Sequence, residues 1–111
     1  MKRYLLSIFI LCCLFTHSQQ YQWTGSSDNL DFFDELNWKE TTTSQTPSNN
    51  TINPGQPIEF ELYITCEVVA NYEINLGENG KIVVINGQLD GNFITGLGEV
   101  ILGESSFLNL N

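Results

Sequence analysis

The fold of this chain is decided by two similar stretches, INLGENGKIVVI at residues 74–85 and VILGESSFLNLN at residues 100–111. The second begins 26 residues after the first and repeats Leu-Gly-Glu without change. Aliphatic residues recur at alternate positions, as they do on one face of a β-strand. The matched pairs are Ile74 with Val100, Ile82 with Leu108, and Val84 with Leu110. The repeat predicts stacked β-coils in which these side chains share one interior.

The alternation also predicts which side chains face outward. With Ile82 and Val84 on the inner face, Val83 and Ile85 point the other way, and asparagines replace them in the second unit. An outer face that is apolar in the first unit alone predicts a cover over that unit, either the N-terminal segment or a partner.

Residues 58–111 are therefore predicted to form a β-repeat domain in an all-β fold. Two architectures fit: a short right-handed parallel β-helix-like stack, or a small β-sandwich. A small antiparallel meander whose turns share Leu-Gly-Glu remains an alternative. The domain begins with a clean alternation that predicts inward side chains at four positions: Ile58, Phe60, Leu62 and Ile64.

Residues 1–18 have the features of a secretory signal peptide. Lys2 and Arg3 precede an apolar run over residues 5–15, and a small-residue exit predicts cleavage near Ser18. A lipid anchor on Cys12 or Cys13 is the less favoured alternative, because the apolar run continues past both cysteines. The protein is thus predicted to be secreted, periplasmic or at the cell surface.

Removal of residues 1–18 leaves a strongly acidic chain. Two lysines remain against 13 acidic residues, which gives a formal charge of −11. Phosphate recognition needs clustered Lys and Arg, so nucleic acid and anionic lipid are poor partners. No later stretch is long and apolar enough to predict a membrane span.

Residues 19–57 are predicted to form an aromatic cap segment followed by a polar loop. A short helix is expected after Ser27-Asp28, with Leu30, Phe33 and Leu36 on its apolar side. Residues 41–57 are rich in Thr, Ser, Asn, Gln, Pro and Gly, which predicts a loop.

The aromatic residues of this segment are the candidate ligand-binding residues. Flat rings with nearby amides and carboxylates suit a neutral glycan. The alternative is that the rings form a hydrophobic cap that closes one end of the β-stack. The residues are Tyr21, Trp23, Phe32, Phe33 and Trp38.

No catalytic residue, metal ligand or cofactor is predicted. The only histidine, His17, belongs to the predicted signal peptide, so no His-based nucleophile activation or metal site is expected. The acidic run matches neither the EF-hand spacing nor the β-roll nonapeptide; its members are Asp28, Asn29, Asp31, Asp34 and Glu35. Cys66 lies in an apolar run and is predicted to be a buried structural thiol.

Two stretches resemble a known family. The first contains Trp23-Thr24-Gly25 and the later Asn37-Trp38, and the second is the glycine-punctuated run of strands in residues 95–111. Both are similar to secreted bacterial β-helix and autotransporter-passenger-like repeat proteins. The resemblance implies an exported protein of a Gram-negative bacterium and a cap formed by the Trp-x-Gly and Asn-Trp elements. Such proteins usually carry many more coils than the two matched units of this sequence. A repeat scaffold needs about three stacked units with capped ends to bury its core. The last strand is therefore expected to be completed by another chain, unless the domain is a reduced, compact relative.

These observations predict a non-catalytic structural or adhesive surface module associated with extracellular polysaccharide. Two alternatives remain, a carbohydrate-binding accessory protein and a truncated N-terminal piece of a larger β-helix protein. The expected partners are polysaccharide or another β-strand chain, including a second copy that associates through the last strand.

Overall fold

The computed structural model describes residues 19–48 and 51–111, which form the all-β structure that the sequence predicts. The predicted signal peptide lies outside these residues. One 3-10 turn spans Glu35–Asn37. The strands are β1 (Gln20–Trp23), β2 (Trp38–Glu40), β3 (Glu61–Ile64), β4 (Glu67–Ala70), β5 (Ile74–Leu76), β6 (Lys81–Val84), β7 (Gln88–Gly91), β8 (Ile94–Gly96), β9 (Glu99–Leu102) and β10 (Phe107–Leu110).

The strands form three sheets through mainly parallel pairing. The strand orders are β2-β1-β3-β6-β9, β10-β7-β4 and β5-β8, and only the pairing of β1 with β2 is antiparallel. Each residue pairs laterally with one 18 to 21 positions away in sequence, both among β3, β6 and β9 and within the second and third sheets. An antiparallel meander is therefore wrong for residues 58–111.

The predicted register of the repeat was also wrong. Ile82 lies between Leu62 and Val100 in the first sheet, whereas Leu108 lies beside Leu89 in the second. The two Leu-Gly-Glu segments follow β5 and β9, which are strands of different sheets. Glycine-containing turns recur at several corners of this chain, so a shared turn motif does not set which strands become neighbours.

The shared interior is confirmed in part. Ile82 and Val84 are buried in one hydrophobic cluster, against which Leu108 packs partly buried, but Leu110, the predicted counterpart of Val84, is 46% exposed. The inward alternation at the start of the domain is confirmed: Ile58, Leu62 and Ile64 are buried, and Phe60 packs partly buried against the same cluster. The predicted cover is absent from the described residues: Val83 is screened by its sheet neighbours Tyr63 and Ile101, and Ile85 stays 42% exposed.

The N-terminal segment extends the first sheet instead of lying across its outer face. β1 pairs in parallel with β3, so the aromatic residues of β1 join the same hydrophobic cluster as residues 58–111. The described residues of the polar loop form no strand, but its single isoleucine, Ile52, is fully buried in that cluster. Pro47 is buried as well, so two apolar side chains tie the loop to the domain.

Two local predictions were wrong. The helix is reduced to the 3-10 turn, which Asp34 rather than Ser27-Asp28 caps, and Leu36 on the expected apolar side is 59% exposed. Cys66 is exposed because it lies at the corner between β3 and β4 and not within a strand. The part of the chain that the structure describes contains no helix suited in length and hydropathy to crossing a membrane.

Candidate functional site

Four of the five predicted ligand-binding residues pack together at the β1–β2 end of the stack, where they form what we call the aromatic cap: Trp23, Phe32, Phe33 and Trp38. Trp23 and Trp38 pack edge to face with centroids 5.1 Å apart, and Phe32 lies 5.4 Å from Trp38. Phe33 packs on Phe32 at 4.9 Å. Tyr21 packs instead on Phe60, also at 4.9 Å.

Four of the five rings are buried, and Phe33 alone is half-buried. The indole N–H of Trp38 donates a hydrogen bond of 2.8 Å to the backbone carbonyl of Phe32, so its one polar group is satisfied inside the core. A glycan can stack on these four rings only if the segment opens. The arrangement is the one described by the alternative interpretation, in which aromatic side chains cover the end of the stack.

Asn37 is the buried polar residue that holds the cap loop together. Its side-chain oxygen accepts from the Ser27 backbone N–H at 2.9 Å, and its amide donates to the Asn29 side chain at 2.7 Å and the Asp31 carbonyl at 3.1 Å. Its own carbonyl accepts from the Thr24 N–H at 2.7 Å. In the sequence, Asn37 stands out only by resemblance, since a lone asparagine carries no burial signal.

The acidic run folds onto its own backbone. The Asp31 carboxylate accepts from the Phe33 N–H, and the Asp34 carboxylate accepts from the Leu36 N–H and from the Asn29 amide. Hydrogen bonds from Ser27 first, then from Asn29, lower the pKa of Asp34, and the Leu36 N–H adds to that effect. The side-chain oxygens of Asn29, Asp31 and Asp34 thus serve local turns.

A polar ladder crosses the outer face of the first sheet. Glu61 accepts from the Gln20 amide and from the Tyr63 hydroxyl, both at 2.8 Å, and Lys81 lies between Glu61 and Glu99 at 3.7 and 3.4 Å. The hydrogen bond to Glu61 is the main reason that the pKa of Tyr63 is raised. Lys81, one of the two lysines in residues 19–111, is thereby engaged with carboxylates.

A polar cleft of about 730 Å³ opens beside this ladder. Three carboxylates lie in it, but Glu59 accepts from the Asn79 N–H and Glu61 is engaged in the ladder. Among residues 19–48 and 51–111, no group of three or more His, Cys, Asp or Glu side chains is placed to hold a metal ion. The lining residues are Gln19, Gln20, Glu40, Thr41, Thr42, Glu59, Phe60, Glu61 and Asn79.

Comparison with protein-family models, with curated proteins and with solved structures finds no match for this chain. Its function must therefore be argued from its own residues.

A second group of aromatic side chains lies on the surface beside the cap. Tyr72 is 62% exposed and packs at 6.1 Å from Phe33. Phe93 is 52% exposed and occupies the corresponding corner of the next coil, where the Asn92 amide donates to the Asn71 carbonyl. This group was not predicted from the sequence, because Tyr72 and Phe93 stand within strand-like runs, where an aromatic residue is expected to be buried.

Proposed function

We propose that the chain is an exported, non-catalytic structural or adhesive surface module, built as a short parallel β-helix-like stack. The observation that carries the proposal is the set of aliphatic rows that run through the core in lateral register. Leu62, Ile82 and Val100 form one row, and Val68, Leu89 and Leu108 form another. A repeat scaffold buries its core in this way, by stacking each unit on its neighbour.

The position of the polar groups supports a structural role over catalysis. Asn37 is the one polar residue fully buried in the described part of the chain, and its hydrogen bonds stay within the cap loop. The carboxylates named above serve turns and the ladder. Acid–base chemistry needs paired groups directed at a shared cleft, and Glu61 and Glu59, which line the polar cleft, are both engaged by protein donors.

Export and surface display can be tested through Cys66. We expect a membrane-impermeant maleimide to label Cys66 on intact cells, because its thiol is exposed, and the mature N-terminus to be Gln19 or Gln20. A Cys66→Ser strain is the control for labelling.

Cells that lack the protein should attach less well to immobilised polysaccharide than cells that produce it. Labelling only after lysis, or equal attachment of the two strains, would contradict the proposal.

Carbohydrate binding is the second candidate function, and the exposed aromatic group favours it. Tyr72 presents ring surface to solvent beside Phe33, and Phe93 does so one coil further along. Amides and a carboxylate flank them: Asn71, Asn92 and Glu73. Aromatic faces rimmed by hydrogen-bonding groups are suited to a neutral sugar.

In a titration with neutral glycans, we expect Tyr72→Ala and Phe93→Ala each to weaken binding about two- to tenfold, since ring stacking of this kind contributes about 0.5–1.5 kcal/mol. The emission of Trp23 and Trp38 should not respond, because both indoles are buried. Binding is best measured by calorimetry, with Leu97→Ala as a control for an exposed apolar residue elsewhere. A change in tryptophan emission would instead favour ligand contact with the cap.

A further inference from the structure

Strand β9 ends the five-stranded sheet, and no strand within residues 19–48 and 51–111 pairs with its outer backbone edge. The N–H groups of Glu99 and Gly103 donate to Gly80 and Val84 on the β6 side. Residues of a strand direct their backbone groups alternately to the two neighbouring strands. The N–H and C=O groups of Val100 and Leu102 therefore face away from β6, toward the open side.

The inner side chains of this strand are also incompletely covered. Ile64 and Val84 are fully buried, but Leu102, the next member of the same row, is 49% exposed. On the outer face, Val83 is buried whereas its neighbour Ile101 is 41% exposed. β9 contains neither proline nor lysine, the residues that commonly protect an edge strand from pairing.

The opposite edge of the same sheet is blocked. The N–H of Trp38 donates to the Glu35 carbonyl, and Glu40 donates to Gln45 and accepts from Ser44. These bonds occupy the outer edge of β2, so a second molecule cannot add there without breaking them. Head-to-tail chains that join β9 to β2 are disfavoured, and a closed pairing of β9 with itself is favoured.

We propose that two copies of this chain dimerise by antiparallel pairing of β9 with β9, about a two-fold axis at Ile101. In this register Val100 of one copy faces Leu102 of the other, so the outward N–H and C=O groups of both residues form hydrogen-bonded pairs. Val100 and Leu102 lie on the same, inner face, as directly opposed residues must.

The register is also compatible on the outer face and in charge. Ile101 meets Ile101 of the second copy and extends the row of Tyr63 and Val83 across the junction. Glu99 comes opposite Gly103 of the second copy, so no two carboxylates are directly opposed. Among the other edge strands, β10 is a less favourable partner, because the same geometry there centres on Asn109, which already donates to Asp90.

Engineered cysteines test the register directly. Opposed residues of a non-hydrogen-bonded antiparallel pair have Cα atoms about 4.5 Å apart, which lies within the range that a disulfide spans. In a Cys66→Ser background, Ile101→Cys should form a covalent dimer under mild oxidation. Asn109→Cys, placed outward on β10, should stay monomeric on denaturing gels.

Sedimentation of the purified protein tests association without a cross-link. Ile101→Lys places two ammonium groups opposite each other and should raise the dimer dissociation constant at least tenfold. Ile85→Lys is the matched control, since Ile85 is equally exposed but lies outside β9, and it should remain a dimer. Circular dichroism of each variant separates loss of pairing from loss of the fold.

The inference rests on the proposed structural role, but the two can fail separately. A folded β-protein that is monomeric at all concentrations overturns the dimer and leaves the structural module intact. Cross-linking through Asn109→Cys but not Ile101→Cys overturns the assignment to β9. A chain without cooperative β-structure would instead overturn the stack itself.

Discussion

Replacing Trp38 by alanine is expected to lower the free energy of unfolding by about 3–5 kcal/mol, the usual effect of deleting a large buried aromatic side chain. Trp38 is fully buried, packs on Trp23 and Phe32, and satisfies the Phe32 carbonyl through its indole N–H. The truncation leaves both a cavity and an unpaired buried acceptor. Domains of this size have total stabilities of about 5–15 kcal/mol, so much of the stability is lost.

Urea denaturation followed by circular dichroism measures this effect. Trp38→Phe keeps a ring but loses the hydrogen bond, and should lie between the wild type and Trp38→Ala. Leu36→Ala, two residues away and largely exposed, should change the stability by less than about 0.5 kcal/mol. If Trp38→Ala were no more destabilising than Leu36→Ala, the aromatic cap would not be part of the core.

Replacing Gly96 by alanine should destabilise the fold by about 3 kcal/mol, through two separate effects. Gly96 has φ +100°, where an alanine is strained by about 1–2 kcal/mol. The added methyl group would also overlap the backbone carbonyl of Leu76 in the neighbouring strand, and overpacking of this kind typically costs about 1–3 kcal/mol.

Two glycines of the same chain separate these effects. Gly55 has φ +85° with no neighbouring atom within 4 Å, so Gly55→Ala should show the conformational strain alone. Gly91 does not have a φ in the left-handed region, and an added Cβ there would lie 3.6 Å from Ala70, an ordinary contact. The stability of Gly91→Ala should therefore lie within about 0.5 kcal/mol of that of the wild type. Equal stabilities for all three variants would mean that β5 and β8 do not approach each other closely.

The aromatic segment shows how much of the candidate site could be predicted from the sequence. The density of aromatic residues in residues 19–38 predicted either a sugar-binding surface or a hydrophobic cap. Composition alone does not distinguish these two predictions. Burial of Trp23 and Trp38 depends on β1 pairing with β3, a contact between residues about 40 positions apart. No local pattern encodes such a contact. For the same reason, the exposed pair of Tyr72 and Phe93 emerged only from the structure.

Side-chain alternation by itself determined that the chain is all-β and that Ile82 and Val84 face inward. It also determined the buried positions Ile58, Leu62 and Ile64, although the strand there begins only at Glu61. These properties depend on the two-residue period of a strand, which is local. The tertiary structure alone decided which strands are neighbours: Ile82 lies beside Val100 rather than Leu108. Lateral pairing depends on the length of each coil and on the close approach of backbones at its corners, and a repeated Leu-Gly-Glu turn specifies neither.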